Sequence, residues 1–140
     1  MNVHYRQARD KKFVGQLIRK NMEPYYKELG IEWDQEVFDK NWEVFENYEL
    51  LVDSVPVGVF RISYDHMDCY IRDVQVDYRW QCKGLGSKAI EYSSEIALNA
   101  GFGLLRLRVF CRNPAVSLYK RMGFCVRKTE GEFHYMEREV

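Results

Sequence analysis

Gln81-Cys82-Lys83-Gly84-Leu85-Gly86-Ser87-Lys88 lies between an extended run, Tyr70 to Asp77, and a helical pattern. Two glycines one residue apart permit backbone angles that a Cβ forbids, and they let another group approach the main chain closely. Where such a turn opens a helix, several N–H groups lack intrahelical partners and point the same way. Together with the helix dipole they form a site for a phosphate-like anion. A strand-to-helix turn that simply requires glycine has the same appearance, so the rest of the chain decides the reading.

The helix that follows carries Leu85, Ala89, Ile90, Ile96, Ala97 and Ala100 on its apolar face, with Gly101 where a C-terminal glycine belongs. Leu104 to Phe110 alternates apolar residues with Arg106 and Arg108, the pattern of a strand. Strand, helix and strand make a βαβ unit, so Cys69–Val76 and Leu104–Phe110 are expected to run parallel. Asn113-Pro114 then reads as a helix start, a capping side chain followed by proline in the first turn. That helix places Ala115, Leu118 and Met122 on one face and stops at Gly123. Two final strands, Phe124 to Lys128 and Glu132 to Glu139, flank a turn at Glu130-Gly131.

Upstream, Val3 to Ala8 reads as a first strand. Asp10 is a candidate N-cap for a helix through about Asn21, with Phe13, Leu17 and Ile18 on one face. Met22 to Gly30 contains a proline, paired tyrosines and a glycine, and is expected to be an irregular or broken-helix connection. A second helix follows Trp33-Asp34, with Val37, Phe38, Trp42 and Phe45 at helical spacing. Leu50 to Asp53 and Val55 to Asp65 form a hairpin about Asp53-Ser54, and Asp65 to Asp68 makes the turn into Cys69–Val76. The order β-α-α-β-β-β-α-β-α-β-β describes an α+β chain on one mixed sheet.

Composition narrows the function. A chain of 140 residues with 46% hydrophobic and 30% charged residues is expected to form one globular domain, residues 1–140. Acidic and basic residues balance at 21 each, which removes the general electrostatic argument for nucleic acid or an anionic membrane. No apolar run approaches the roughly 18 residues of a membrane span. The first residues have no apolar stretch like a signal peptide's, so a cytoplasmic location is expected. Cys69, Cys82, Cys111 and Cys125 are scattered, and with His4, His66 and His134 they form no zinc spacing. No metal is expected, and the cysteines are expected to be free thiols, with Cys82 in the glycine loop open to reaction.

Taken together, Gln81-Cys82-Lys83-Gly84-Leu85-Gly86 and the segment Asn113 to Phe124, with Tyr119 and the Gly123-Phe124 pair, resemble the two signatures of the GNAT superfamily of N-acetyltransferases. The match is good over Asp68 to Phe124, and earlier only in the order of elements. The resemblance implies a three-layer fold with about seven strands and four helices. It also implies direct transfer from acetyl-CoA to a primary amine of a small molecule or protein, and relatives often form homodimers. It would place the CoA pyrophosphate on the N–H groups of Cys82, Lys83, Gly84, Leu85, Gly86 and Ser87, behind Gln81. The pantetheine arm would lie against Val74 and Val76 between parted strands, with Asn113, Ser117 and Lys120 also near the CoA. Tyr119 would act as the acid toward the leaving thiolate.

Many relatives use a glutamate on this strand as base, and this strand has none. Asp73 is the candidate here, the alternative being an exposed, solvated aspartate; Asp68 and a water held by Gln75 are further candidates. Tyr25, Tyr26 and Trp33, with Asp34, are candidates for a cationic acceptor, or else core residues. Arg72 would instead receive an acidic group.

Two rivals compete. Gly84 to Ala89 satisfies a loose dinucleotide-binding pattern, but its first glycine lies too far from the strand and no acidic residue follows at the ribose-binding distance. A non-catalytic acetyl-CoA sensor fits the missing glutamate, but not the intact Asn113 and Tyr119.

Overall fold

The computed structural model describes residues 1–140. Its elements are β1 (Val3–Gln7), α1 (Lys11–Leu29), α2 (Gln35–Val44), β2 (Glu46–Val52), β3 (Val55–Tyr64), β4 (Cys69–Val76), α3 (Leu85–Asn99), β5 (Leu104–Phe110), α4 (Ala115–Arg121), β6 (Cys125–Glu130) and β7 (Phe133–Glu139). One seven-stranded sheet has the order β1-β2-β3-β4-β5-β7-β6, all antiparallel except the β4–β5 pair. The mixed sheet and four helices agree with the architecture read from the sequence.

Helices cover both faces. Ile90 and Ala97 of α3 and Tyr119 of α4 pack with Ile62, Cys69, Ile71, Leu105 and Leu107 of the sheet in the larger apolar cluster. On the other face Val14, Leu17 and Ile18 of α1 and Phe38 of α2 pack on Val59 of β3. The β2–β3 hairpin turns at Asp53 and Ser54, both with positive φ (49° and 71°), which matches the right-handed twist of the two strands.

One expectation is overturned. Met22 to Leu29 is not an irregular connection: α1 continues through Pro24 to Leu29. Pro24 supplies no N–H to the preceding turn. The end of the helix is nevertheless closed by Gly30 at φ 69°, whose N–H bonds Lys27 O while the Ile31 N–H bonds Tyr26 O. Gly30 is therefore a helix cap rather than a loop residue. The extra two turns carry Tyr25 and Tyr26 over the C-terminal half of β4.

Two irregularities in β4 position the site. The register against β3 slips between Arg61↔Asp73 and Ile62↔Ile71, so β4 has one extra residue there. A regular strand would send Arg72 and Asp73 to opposite faces. The bulge puts both on the α1 side, where Arg72 Nε donates to Ser63 Oγ and Asp73 meets Arg61. The second irregularity faces β5. The parallel strands pair only at Cys69↔Leu105, Tyr70↔Arg106 and Ile71↔Leu107. Beyond Ile71 they part, although β5 continues to Phe110 and β4 to Val76.

Candidate functional site

A cleft of about 630 Å³ opens where β4 and β5 separate. One wall is Arg72, Asp73, Val74, Gln75 and Val76; the opposite wall is Arg108, Val109 and Phe110 with Tyr119 of α4. Tyr25 and Tyr26 roof it from α1, and Gln81, Cys82, Gly84, Leu85, Gly86 and Ser87 close one end.

The closing end is built from main chain. Cys82 and Gly84 have positive φ (61° and 80°), and no side chain caps the N-terminus of α3. The N–H groups of its first turn are therefore free of a capping acceptor and belong to residues lining the cleft, an arrangement suited to an anion. Gly86 serves packing as well: a Cβ there would stand 3.1 Å from Leu118 Cδ2, so glycine lets α3 approach α4. Gln81 is exposed, and its amide donates to Val76 O, which also accepts from Asn21 Nδ2. Asn113 Oδ1 accepts from Ala115 N, and Pro114 already has helical angles (φ −55°, ψ −22°). The predicted cap thus exists, and the Asn113 side-chain NH2 remains available in the cleft.

Asp73 is enclosed, not the exposed and solvated aspartate of the alternative reading. Its side chain is 17% exposed, and Oδ2 lies 3.3 Å from Nη1 of Arg61. Burial raises its pKa to about 6, more than the Arg61 charge and the Gln75 and Arg61 hydrogen bonds lower it. Arg61 is itself buried. Its Nε donates to Asn47 Oδ1 at 2.8 Å, and its guanidinium stands 5.0 Å and 4.8 Å from the Phe38 and Phe45 ring centroids. Nη2 has no hydrogen-bond partner. Tyr119 is 8% exposed, and burial, reinforced by the Asp73 charge, raises its phenol pKa so that it holds its proton. Asp73 raises Tyr26 in the same direction, after burial.

Of the residues singled out from sequence, the cleft gathers Tyr25, Tyr26, Arg72, Asp73, Val74, Val76, Gln81, Cys82, Gly84, Leu85, Gly86, Ser87, Asn113 and Tyr119. It does not gather Lys83, Ser117 or Lys120, which point to solvent outside its lining. Trp33 is also elsewhere: it packs on Phe38 and Tyr26, with Arg19 over its ring. Asp34 caps α2 through its bonds to the Glu36 and Val37 N–H groups. Asp68 pairs with Arg106 away from the cleft.

Sequence reasoning missed Arg61, Arg108, Phe110 and Phe133. A single arginine inside the apolar run Val55 to Tyr64 was a usable signal for Arg61, since a buried charge demands a partner. The four cysteines are unpaired, and no group of three metal-ligating side chains occurs. No helix is long and apolar enough to cross a membrane.

Comparison with known proteins adds three findings. The sequence profile of the acetyltransferase (GNAT) family matches residues 14–124. A thialysine N-epsilon-acetyltransferase from Bos taurus is 36% identical over 73 residues, covering 49% of this chain and 43% of that protein, so the match spans less than half of the relative. Among solved structures, the fold resembles a PaiA N-acetyltransferase from Thermoplasma acidophilum in complex with coenzyme A (TM-score 0.81, 17% identity, all of both chains). It also resembles the ribosomal-protein-S18-alanine N-acetyltransferase from Escherichia coli (TM-score 0.77, 17% identity, 99% of this chain and 94% of that one).

Proposed function

Because the chain belongs to the acetyltransferase (GNAT) family, we propose that it is an N-acetyltransferase moving the acetyl group of acetyl-CoA directly onto an amine. The observation that carries this reading is the parting of β4 from β5 beyond Ile71↔Leu107, with an uncapped helix N-terminus at one end of the gap. An extended, hydrogen-bonding ligand with a phosphate head suits that shape. Its arm takes the place of a strand beside Val74 to Val76, and its pyrophosphate meets the free N–H groups between Cys82 and Ser87.

The chemistry follows from what borders the gap. The amine nitrogen attacks the thioester carbonyl, a main-chain N–H near Val74 polarises the carbonyl oxygen, and the C–S bond breaks. An alkylammonium is neutral in only about one molecule in 2,500 at pH 7. Direct removal of its proton by a carboxylate of pKa about 6 is uphill. The small neutral fraction is what attacks; the nitrogen of the adduct so formed then carries a proton made acidic by the new bond to the acetyl carbon, and Asp73 accepts that one. Tyr119, held protonated by burial and by the Asp73 charge, donates a hydrogen bond from its hydroxyl to the departing sulfur and so stabilises the thiolate, whose thiol has a pKa near 8.5 and takes its proton from water on release.

The reading takes residues 1–140 as one transferase domain acting in the cytoplasm on a small-molecule or protein amine, with no metal. We also expect a homodimer, which sedimentation of the purified chain measures; β1 and β6 form the two sheet edges. The test of the function is a thermal shift with acetyl-CoA, CoA and NADPH. A ligand at 100 times its dissociation constant adds about 2.7 kcal/mol, on the order of 5–10 °C for this size. Shifts with both CoA species but not NADPH are expected. A shift with NADPH alone would overturn the reading.

A further inference from the structure

We propose that the acceptor is an amine that also carries a carboxylate, held by Arg72 and Arg108 at the mouth of the cleft. This rests on the transferase reading above and names its second substrate.

The placement follows from the register. Ile71↔Leu107 is the last paired position, and both side chains lie in the apolar cluster on the α3 face. The next residue on each strand, Arg72 and Arg108, therefore projects to the opposite face, side by side where the strands begin to part. The bulge adds Asp73 to the same face one residue later.

The two exposed arginines flank the gap, each stacked on its own side of it. The Arg72 guanidinium stands 4.7 Å from the Tyr70 ring centroid and 5.6 Å from that of Phe45, with Nε bonded to Ser63 Oγ. Arg108 stands 4.5 Å from the Phe133 ring centroid. Neither has a carboxylate within ion-pair distance, although six of the other ten arginines do.

Charge balance in the cleft points the same way. Its lining contains Arg72, Arg108 and Arg121 against a single carboxylate, Asp73, and that carboxylate is already paired with Arg61. The chain as a whole has 21 acidic and 21 basic residues, so the cationic bias is local. A polyamine would meet two unpaired guanidinium groups in that mouth. An amino acid, or an amine whose neighbouring group is acidic, would place its carboxylate on their planar N–H donors and its nitrogen toward Asp73.

The test uses matched amine pairs with the full chain and acetyl-CoA: glycine and glycinamide, β-alanine and β-alaninamide, L-leucine and L-leucinamide, with spermidine as the cationic control. Free CoA is the readout. The amides have the less basic amines and so more neutral nitrogen at pH 7.5, which makes intrinsic reactivity favour them. The expected result is nevertheless at least a tenfold higher kcat/KM for the best carboxylate than for its amide or for spermidine. Arg72→Met and Arg108→Met keep the aliphatic stems, and each should reduce that ratio at least fivefold, through KM, with acetyl-CoA still raising Tm.

Faster turnover of the amides or of spermidine would overturn the proposal while leaving the transferase reading standing. So would an unchanged ratio in both variants. No turnover of any of these amines by a chain that acetyl-CoA stabilises would overturn the proposal and favour a non-catalytic acetyl-CoA sensor. No stabilisation by acetyl-CoA would remove both readings.

Discussion

Replacing Arg61 by methionine removes the ion-pair partner of Asp73 while keeping an apolar stem between Phe38 and Phe45. At 3.3 Å and an effective dielectric of about 20, the pair is worth at most about 5 kcal/mol, just under 4 pKa units. Opposite charges in proteins realise about one to three units. The pKa of Asp73, about 6 with Arg61 present, should therefore rise to roughly 7–9 in the variant.

The sign is fixed by burial. A raised carboxylate pKa means that ionisation opposes folding, so this contribution to stability is intact below pH 3.8 and declines as pH rises through the folded value. In the wild type that decline, about 3 kcal/mol, is complete near pH 6. In Arg61→Met it extends to roughly pH 7–9, and Tm should fall more steeply across neutral pH than in the wild type.

The assay is log kcat/KM against pH with any accepted amine. Since amine and base must both lose protons, the slope should change from two to one at about pH 6 in the wild type and at roughly pH 7–9 in Arg61→Met. Arg61→Lys, which restores a cation, should bring the break back toward 6. A break that stays at 6 in a folded Arg61→Met would refute the coupling. One that survives in Asp73→Asn would show that Asp73 is not the titrating group.

Tyr119→Phe should lower kcat by about a hundredfold or more while the thermal shift with CoA persists, because only the hydrogen-bond donor is lost. Gly84→Ala isolates backbone strain: nothing lies within 4 Å of the added Cβ, so the cost of φ 80° alone, about 1–2 kcal/mol, should appear in urea unfolding. Ser54→Gly relieves a positive φ of 71° in the β2–β3 turn and should stabilise the fold by about 0.5–1 kcal/mol without changing kcat.

The sequence made the sheet legible where its signals were local. The glycine loop, the Asn113-Pro114 helix start and the β2–β3 turn each depend on a few adjacent residues, and the strands Cys69–Val76, read from its extended run, and Leu104–Phe110, read from its alternation, stand where they were expected. Pro24 misled because a local helix-breaking signal was outweighed by closure at Gly30 and by packing. The insertion of β7 between β5 and β6 left no trace in either strand's own residues, since pairing partners are a long-range property. The bulge was equally hidden. Reading β4 as a regular strand would have separated Arg72 from Asp73, and only the register against β3 shows them sharing a face. For the same reason the loop end of the cleft was better foreseen than the acceptor end. The former is a contiguous motif, whereas the latter is assembled from α1, β3, β4, β5 and β7.

The seven strands can also be regarded as two sheets, β1 to β4 and β5 to β6, joined by a seam at Cys69–Ile71 and Leu105–Leu107. Past that short seam the facing edges of β4 and β5 lack a strand partner, and whatever fills the gap acts as their splint. Amide hydrogen exchange should show this directly: within the free protein's sheet the open halves of β4 and β5 should exchange fastest, with the buried seam, α3 and the β2–β3 core slower. Occupancy by CoA would then slow exchange across both half-sheets together. The cellular lifetime of the chain would rise and fall with its acyl donor, because a protease that needs an unfolded chain finds one chiefly when the gap is empty.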